Sequence, residues 1–288
     1  MNFCWKIILA LLIFSSCSKD PKSNNAVVVT RHHLATDIGA EILKNGGNAI
    51  DSAVAVAFAL AVVNPSAGNL GGGGFMLYYD ADDEKTFALD YRERAPQNAT
   101  EKMFLNKEGD VIEGLSLNSY LASGVPGTVK GMFKAHNLFG SIPIENLIAP
   151  AIKIAKDGFT LSNFQATNFN KYKKKFLNGS DSESIFIKEG GFKEGDIFIQ
   201  ADLAKSLELI QSRGQKVFYE GKLADKIVED FSQNGGLISS EDLFNYKVYL
   251  KDPICGIYKE YDVCSMPLPS SGGIAIIQML NIIENFDL

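Results

Sequence analysis

Two arginines and two acidic residues lie close together in the segment from Asp90 to Arg94, at the end of a predicted strand. The planar guanidinium of Arg92 or Arg94 can donate two parallel hydrogen bonds to a carboxylate, so either residue is a candidate for ligand binding. The same arginines can instead form structural ion pairs with Asp90 or Glu93. The residue types alone leave both interpretations open.

Four consecutive glycines, Gly71 to Gly74, come just before a predicted strand that begins at Phe75. No Gly-Lys-Ser/Thr follows them, and the next element is a strand and not a helix, so a phosphate-binding loop is excluded. Glycine permits close backbone approach. We therefore expect a structural role for this loop, with a pocket lined by exposed amides as the alternative.

Other catalytic chemistries have little support in the sequence. No Gly-x-Ser-x-Gly motif occurs, which argues against an α/β-hydrolase. His32, His33 and His136 lack a metal-like partner four residues on, so neither a metal site nor a catalytic histidine is predicted. Carboxylates are plentiful, and a glycosidase that uses two of them stays an alternative.

Composition places the chain among ordinary soluble globular proteins. Of its 288 residues, 46% are hydrophobic and 22% are charged. A formal net charge of -6 leaves no overall basic surface, so nucleic acid is not expected as a partner.

The first residues have the pattern of an export signal. Lys6 precedes an apolar run from Ile7 to Phe14, which is too short to cross a bilayer as a helix of about 20 residues. Small residues then lead to Cys17, as in bacterial lipoprotein cleavage sites. We expect residues 1–17 to be the signal with Cys17 lipidated, residues 18–25 to be a polar linker, and the protein to lie in the periplasm or outer cell envelope. Secretion without a lipid and a buried N-terminal strand are the alternatives.

Cys255 and Cys264 are the cysteines left for the folded body, and they lie in two short predicted strands. A hairpin could join them as a disulfide in an oxidising compartment. Two buried free thiols that act as small hydrophobic side chains are the interpretation we favour.

Two helices are predicted ahead of the glycine loop. Apolar residues at helical spacing from Leu34 to Leu43, followed by Gly46-Gly47, predict the first helix. Asn48 and Asp51 predict a capping box that starts the second. That helix continues to Val63 and is almost wholly apolar, so we expect it in the core.

The remaining pattern mixes strands and helices. A buried strand is predicted at 26–30, further strands at 75–79, 85–92, 254–258 and 261–265, and further helices at 127–139, 144–157, 201–213, 222–234 and 272–285. Strands and helices do not alternate regularly. Stacked sheets flanked by helices, an α+β fold, therefore suit the order better than a doubly wound parallel sheet.

Several segments in this order resemble the γ-glutamyltranspeptidase family. The longest runs from Gly46 to Met76, and the others are Asp90-Tyr-Arg-Glu, Ala122-Ser-Gly-Val-Pro-Gly-Thr-Val, Gln200-Ala-Asp-Leu-Ala, Asn234-Gly-Gly-Leu-Ile and Ser265-Met-Pro-Leu-Pro-Ser-Ser-Gly-Gly. The resemblance covers residues 26–288 and is to the large-subunit part of the family.

The resemblance implies the αββα sandwich of N-terminal-nucleophile hydrolases, formed as one domain. It implies that Arg92 holds the α-carboxylate of a γ-glutamyl group, as in glutathione, whereas Arg94 stands at a position that the family does not fix. It further implies a precursor that cleaves itself and a threonine nucleophile on the small subunit. That threonine transfers the γ-glutamyl group to water or an amino acid without a cofactor.

The family's nucleophilic threonine lies beyond the region related to Pro269–Gly273, which we expect to be a scaffold loop. We therefore assign no catalytic residue within this chain, and we expect the chain to require a small-subunit partner for activity. A related acylase, a poly-γ-glutamate transferase and a non-catalytic ligand-binding lipoprotein are the alternatives.

Overall fold

The computed structural model describes residues 26–178 and 185–287, so the predicted signal, linker and Cys17 lie outside the described residues. The helices are α1 His33–Lys44, α2 Ala49–Val63, α3 Leu115–Asn118, α4 Thr128–Phe139, α5 Ile144–Asp157, α6 Asn163–Asn178, α7 Ala201–Arg213, α8 Lys216–Tyr219, α9 Lys222–Gln233, α10 Ser240–Asn245 and α11 Gly272–Ile283. The strands are β1 Phe75–Asp80, β2 Lys85–Asp90, β3 Phe159–Thr160, β4 Ile197–Phe198, β5 Tyr249–Lys251, β6 Ile254–Tyr258 and β7 Tyr261–Ser265. The presence of many helices together with antiparallel strands confirms the predicted α+β class.

Helix α2 lies at the centre of the helical layer, in contact with α1, α4 and α5. Its start has the predicted capping box, in which Asn48 accepts from the Asp51 amide and the Asp51 carboxylate accepts from the Asn48 amide. Asp51 also accepts hydrogen bonds from Ser141 and from the Ile142 amide, which fixes the loop ahead of α5 to the start of α2. Among the described residues, no helix is both long enough and apolar enough to cross a membrane.

The main sheet is antiparallel, with the strand order β1-β2-β5. The register pairs Phe75 with Asp90 across β1 and β2. Tyr78 points towards the helical layer, where its ring lies 4.8 Å from that of Phe139 at the end of α4. Because side chains alternate along a strand, Leu77 and Tyr79 point to the opposite face, where they are exposed.

Strands β6 and β7 form the predicted hairpin, and its register places Cys255 directly opposite Cys264. The two residues form a disulfide with a Cα–Cα distance of 4.1 Å. The favoured interpretation of buried free thiols is therefore wrong, and Cys255 is exposed. The two-residue turn between the strands fixes the register that makes the two cysteines direct neighbours.

Residues 26–30 belong to no helix or strand, and they form no strand pair with any described residue. Val27 and Val29 are 79% and 86% exposed. The prediction of a buried strand is therefore wrong within the described part of the chain. β-Branched residues favour the extended conformation, whereas pairing depends on a neighbour that local sequence does not specify.

Candidate functional site

Arg92 lies just past the carboxyl end of β2, on the sheet face that points away from the helices. The ladder continues one residue beyond the strand, because Tyr91 and Gly74 exchange backbone hydrogen bonds of 3.1 and 3.3 Å. The Tyr91 ring points to the helical side, where Gly131 of α4 leaves room for it. By alternation, Asp90 and Arg92 share the opposite face.

Asp90 is fully buried and has three hydrogen-bond donors. Its Oδ2 accepts from Arg94 Nη2 at 3.0 Å and from Lys251 Nζ at 2.8 Å, and its Oδ1 accepts from the Arg92 amide at 3.2 Å. Burial alone would raise the pKa of Asp90, but the bonds from Lys251, the Arg92 amide and Arg94 outweigh it and hold the pKa below its ordinary value. Asp90 is therefore an anion that fixes the strand end.

The structure separates the roles of the two arginines. Arg94 makes the structural ion pair with Asp90, and its guanidinium also lies 5.0 Å from the centre of the Tyr249 ring. Arg92 is exposed and forms no ion pair with any described residue. Its guanidinium lies 5.9 Å from the centre of the Phe75 ring. Arg92 is thus the arginine whose donor fork is available to a ligand.

The backbone of Arg92 is held from two sides. Tyr246, just after α10, donates its hydroxyl hydrogen bond to the Arg92 carbonyl at 2.9 Å. On the other side, Gly73 lies so close that an added Cβ would be 2.5 Å from the Tyr91 carbonyl oxygen and 2.9 Å from the Arg92 carbonyl carbon. These contacts fix the backbone of Arg92 and therefore the point from which its side chain extends.

The glycine loop, Gly71–Gly74, has the structural role that the sequence predicts. Gly72 accepts hydrogen bonds through its carbonyl from the amides of Gly127 and Thr128, at the start of α4, at 2.7 and 3.0 Å. Asn69 accepts through its side chain from the Gly72 amide and from the Thr128 hydroxyl, at 3.0 and 2.6 Å. The loop connects α2, the Arg92 segment and α4.

A second connection runs from Asp90 to the Pro269–Gly273 loop. Lys251 Nζ donates to the Leu268 carbonyl at 2.7 Å as well as to Asp90. The same ammonium therefore links β5, the end of β2 and the segment that leads into α11. This contact is in keeping with the scaffold role that we expect for the loop.

Lys130 and Tyr219 contact Tyr246 and help to fix its position. Lys130 Nζ donates to the Tyr246 carbonyl at 2.7 Å and lies 4.6 Å from the centre of the Tyr219 ring. Burial lowers the pKa of Lys130 and raises the pKa of Tyr219. Tyr219 donates in turn to the Pro126 carbonyl at 3.0 Å. This network packs the α10–β5 connection against the start of α4.

The histidines lie elsewhere. His32 and His33 stack on each other, and His32 also contacts Phe159, while His136 bonds to the Ile142 carbonyl through Nε2 at 2.6 Å. Within 26–178 and 185–287, no group of three His, Cys, Asp or Glu side chains is arranged to hold a metal ion.

Sequence reasoning missed Tyr246 and Lys251 as supports of the site. Both are distant in sequence from Asp90 and Arg92, and no local motif marks them. Their roles come from the antiparallel pairing of β5 with β2, which places Tyr249 opposite Asp90 and Lys251 opposite Ala88.

Known proteins resemble this chain over nearly its whole length. The sequence profile described as Gamma-glutamyltranspeptidase matches residues 35–288. The crystal structure of Helicobacter pylori gamma-glutamyltranspeptidase has a TM-score of 0.89 and 47% identity, and the match covers 91% of this chain and 76% of that chain. The crystal structure of the Bacillus anthracis transpeptidase enzyme CapD has a TM-score of 0.75 and 36% identity, and the match covers 90% of this chain and 81% of that chain.

The glutathione hydrolase proenzyme of Escherichia coli (strain K12) is 48% identical over 93% of this chain and 46% of the relative. The glutathione hydrolase proenzyme of Bacillus subtilis (strain 168) is 40% identical over 100% of this chain and 52% of the relative. The chain therefore spans about half the length of the curated relatives it matches.

The fold is that of an N-terminal-nucleophile hydrolase, in its large-subunit part. The exposed arginine at a strand end and the glycine scaffold behind it belong to that part. The chain belongs to the gamma-glutamyltranspeptidase family.

Proposed function

We propose that this chain is the large-subunit part of a γ-glutamyltranspeptidase, which transfers the γ-glutamyl group of glutathione or related compounds to water or an amino acid. The observation that carries the proposal is the open guanidinium of Arg92 beside a buried, fully paired Asp90. An arginine held in this way can bind the α-carboxylate of the substrate bidentately.

The proposed reaction needs a nucleophile from a second, small subunit. Its N-terminal threonine hydroxyl attacks the γ-amide carbonyl, and the threonine's free amine takes up the hydroxyl proton. The amide C–N bond breaks, the amine product leaves with a proton, and a γ-glutamyl ester remains. Water or an amino acid then attacks that ester. The role of Arg92 is to orient the donor by its α-carboxylate, and the proposed reaction uses no cofactor.

The experiment uses the complete precursor, matured into two subunits, with Arg92→Ala and Arg92→Lys variants. The substrates are γ-glutamyl p-nitroanilide and 4-aminobutyryl p-nitroanilide, which lacks only the α-carboxylate. Loss of a charge-assisted contact of about 1.5–3 kcal/mol lowers kcat/KM for the first substrate roughly 10- to 150-fold. Activity on the second substrate should hardly change.

Arg213→Ala, at the exposed end of α7, is the matched control and should resemble the unmodified protein. We expect Arg92→Lys to recover only part of the loss, because lysine cannot form the planar fork. An unchanged preference for the γ-glutamyl substrate in Arg92→Ala would remove Arg92 from the site.

An acylase is the second candidate, because the Acylase ACY 1 proenzyme of Pseudomonas sp. (strain SE83) is 35% identical over 95% of this chain. The two anilides separate the candidates. A γ-glutamyl enzyme strongly prefers the substrate with the α-carboxylate, whereas an acylase for other acyl groups has no such preference.

We further propose that the precursor is exported and anchored through a lipid on Cys17, in the periplasm or outer envelope. The support is the sequence pattern described above, with Lys6, the apolar run and Cys17 in that order. Intact-mass analysis of the protein from the source cell's envelope tests this. A large subunit that begins at Cys17 with added acyl mass supports the proposal, and an unacylated terminus rejects it.

A further inference from the structure

A small cavity adjoins the Arg92 segment on the side of β5. Its volume is about 160 Å³, and polar residues in its wall are Arg94, Gln97, Asp242, Asn245, Lys247 and Tyr249. Sites for drug-sized ligands have volumes of about 300–1,000 Å³, so this cavity fits only a small group.

The side chains that line the cavity favour an anion. Arg94 uses Nη2 for its bond to Asp90, and its other donors are hydrogen bonded to no described residue. Lys247 is exposed and forms no ion pair within 26–178 and 185–287. The Asp242 carboxylate is buried and already accepts three hydrogen bonds, from two backbone amides and a hydroxyl group, at 2.6 to 2.9 Å. Arg94 and Lys247 can therefore both donate to a small anion such as a carboxylate.

The sheet sets the distance between this cavity and Arg92. Its register places Phe75 of β1 and Tyr249 of β5 on either side of Asp90. The Arg92 guanidinium lies 5.9 Å from the centre of the Phe75 ring. The Arg94 guanidinium lies 5.0 Å from the centre of the Tyr249 ring. Since neighbouring strands are about 4.8 Å apart, two strand spacings separate the arginines by about 10 Å.

We propose that Arg94 and Lys247 form a subsite for a second carboxylate of the substrate, at the C-terminus of a peptide leaving group. This inference rests on the proposed function, in which Arg92 binds the α-carboxylate of the γ-glutamyl group. An extended chain spans about 3.5 Å per residue, so a γ-glutamyl group followed by two residues holds its end carboxylates about 10 Å apart. That span matches the separation of the two arginines. The preferred donors are then γ-glutamyl peptides with a free C-terminus.

The complete precursor, matured into two subunits, tests this subsite with two donors. Glutathione and its C-terminal amide differ only in the second carboxylate, and both keep the α-carboxylate for Arg92. We expect kcat/KM to be about tenfold higher for glutathione than for the amide, because only the acid forms the charge-assisted hydrogen bonds. Equal values in the unmodified enzyme would overturn the proposal.

Lys247→Gln removes one of the two cations at an exposed position. It should reduce the preference for glutathione about threefold, and the double variant Arg94→Gln, Lys247→Gln should abolish it. Because Arg94 also pairs with Asp90, general damage to the strand end would lower both rates together and leave their ratio unchanged. A double variant that keeps the full preference would overturn the proposal.

Lys134→Gln, at an exposed lysine of α4, is the matched control because it removes the same charge elsewhere on the surface. We expect it to keep the full preference for glutathione. A loss of preference in Lys134→Gln equal to that in Lys247→Gln would mean that the overall charge is responsible, and the subsite would be rejected.

The subsite and the proposed function can fail separately. γ-Glutamyl p-nitroanilide, whose leaving group has no carboxylate, reports the proposed function alone. An enzyme that cleaves this anilide but does not distinguish glutathione from its amide would keep the function and lose the subsite. For a protein without γ-glutamyl turnover, calorimetry with S-methylglutathione and its C-terminal amide replaces the kinetics. Tighter binding of the acid that depends on Lys247 would keep the subsite, and equal binding would reject it.

Discussion

Tyr246 donates a hydrogen bond from its hydroxyl to the Arg92 carbonyl at 2.9 Å, although the two residues are 154 positions apart. Burial raises the pKa of the Tyr246 phenol, so the hydroxyl keeps its proton and stays a donor at neutral pH. The contact requires glycine at position 127, where a Cβ would lie 2.0 Å from the Tyr246 oxygen. The α10–β5 connection thus sets the position of the candidate ligand-binding arginine.

Replacement of Tyr246 by phenylalanine should weaken substrate binding more than turnover. The lost hydrogen bond is worth about 1 kcal/mol, which corresponds to a roughly fivefold rise in KM for γ-glutamyl p-nitroanilide. KM for the 4-aminobutyryl substrate should not change, because that substrate does not use Arg92. Tyr261→Phe, at an exposed tyrosine of the hairpin, is the control. Equal effects on both substrates would indicate a general structural role for Tyr246.

Replacement of Gly73 by alanine should destabilise the protein and impair the site together. The new methyl group would meet the backbone of Tyr91, Arg92 and Glu93 at 2.5 to 2.9 Å, and a rigid strand end cannot move aside cheaply. We expect a loss of about 1–3 kcal/mol in the free energy of unfolding. Gly71→Ala is the matched control, because nothing lies within 4 Å of its added Cβ. Urea unfolding measures the free energy of unfolding of both variants, and equal values would contradict the prediction.

Asp90→Asn should lower stability in a pH-dependent way. The folded-state pKa of Asp90 lies below its ordinary value of 3.8, so its ionised form stabilises the fold above that pH. This contribution disappears as the pH falls through the folded-state pKa. Arg94 and Lys251 are partly exposed, so we expect about 2 kcal/mol at neutral pH, less than for a fully buried pair.

Chemical unfolding from pH 7 down to pH 3 measures this difference. The gap between the unmodified protein and Asp90→Asn should be constant from pH 7 to about pH 5 and should narrow below pH 4. Glu260→Gln, in the exposed turn of the β6–β7 hairpin, controls for the loss of one acidic group. A gap that does not depend on pH would show that Asp90 acts through its shape and not through its charge.

The hairpin disulfide should make a measurable contribution to stability. Closing a loop of this size, with the cysteines nine positions apart, is worth about 2–3 kcal/mol in the chain-entropy treatment. The double variant Cys255→Ser, Cys264→Ser should therefore unfold at lower urea concentration. A thiol assay on the denatured mature protein should also detect neither of these cysteines as a free thiol. Two reactive thiols would contradict the pairing.

Local signals predicted much of the fold. The capping box at Asn48 and the apolar run behind it predicted α2, and the structure confirms both. The hairpin from 254 to 265 was confirmed in its strand bounds. The disulfide was the less favoured alternative, although the predicted strand bounds, with two residues between them, set Cys255 opposite Cys264.

The candidate site was predictable only in part. The residue types around Arg92 left a ligand site and an ion pair equally open, and the structure assigns the ion pair to Arg94. Tyr246 and Lys251 reach the site through long-range packing, which no local pattern reports. The segment 26–30 shows the converse case, in which the local preference is clear and the described residues offer no partner.

The contact between Lys251 and Asp90 also bears on the order in which the fold can form. The two residues are 161 positions apart, so their pairing closes a long loop of the chain. Until that loop closes, the Asp90 carboxylate has its near neighbours Arg94 and the Arg92 amide as donors. The contacts around Arg92 therefore depend on distant parts of the chain, whereas α1 and α2 can pair without closing such a loop.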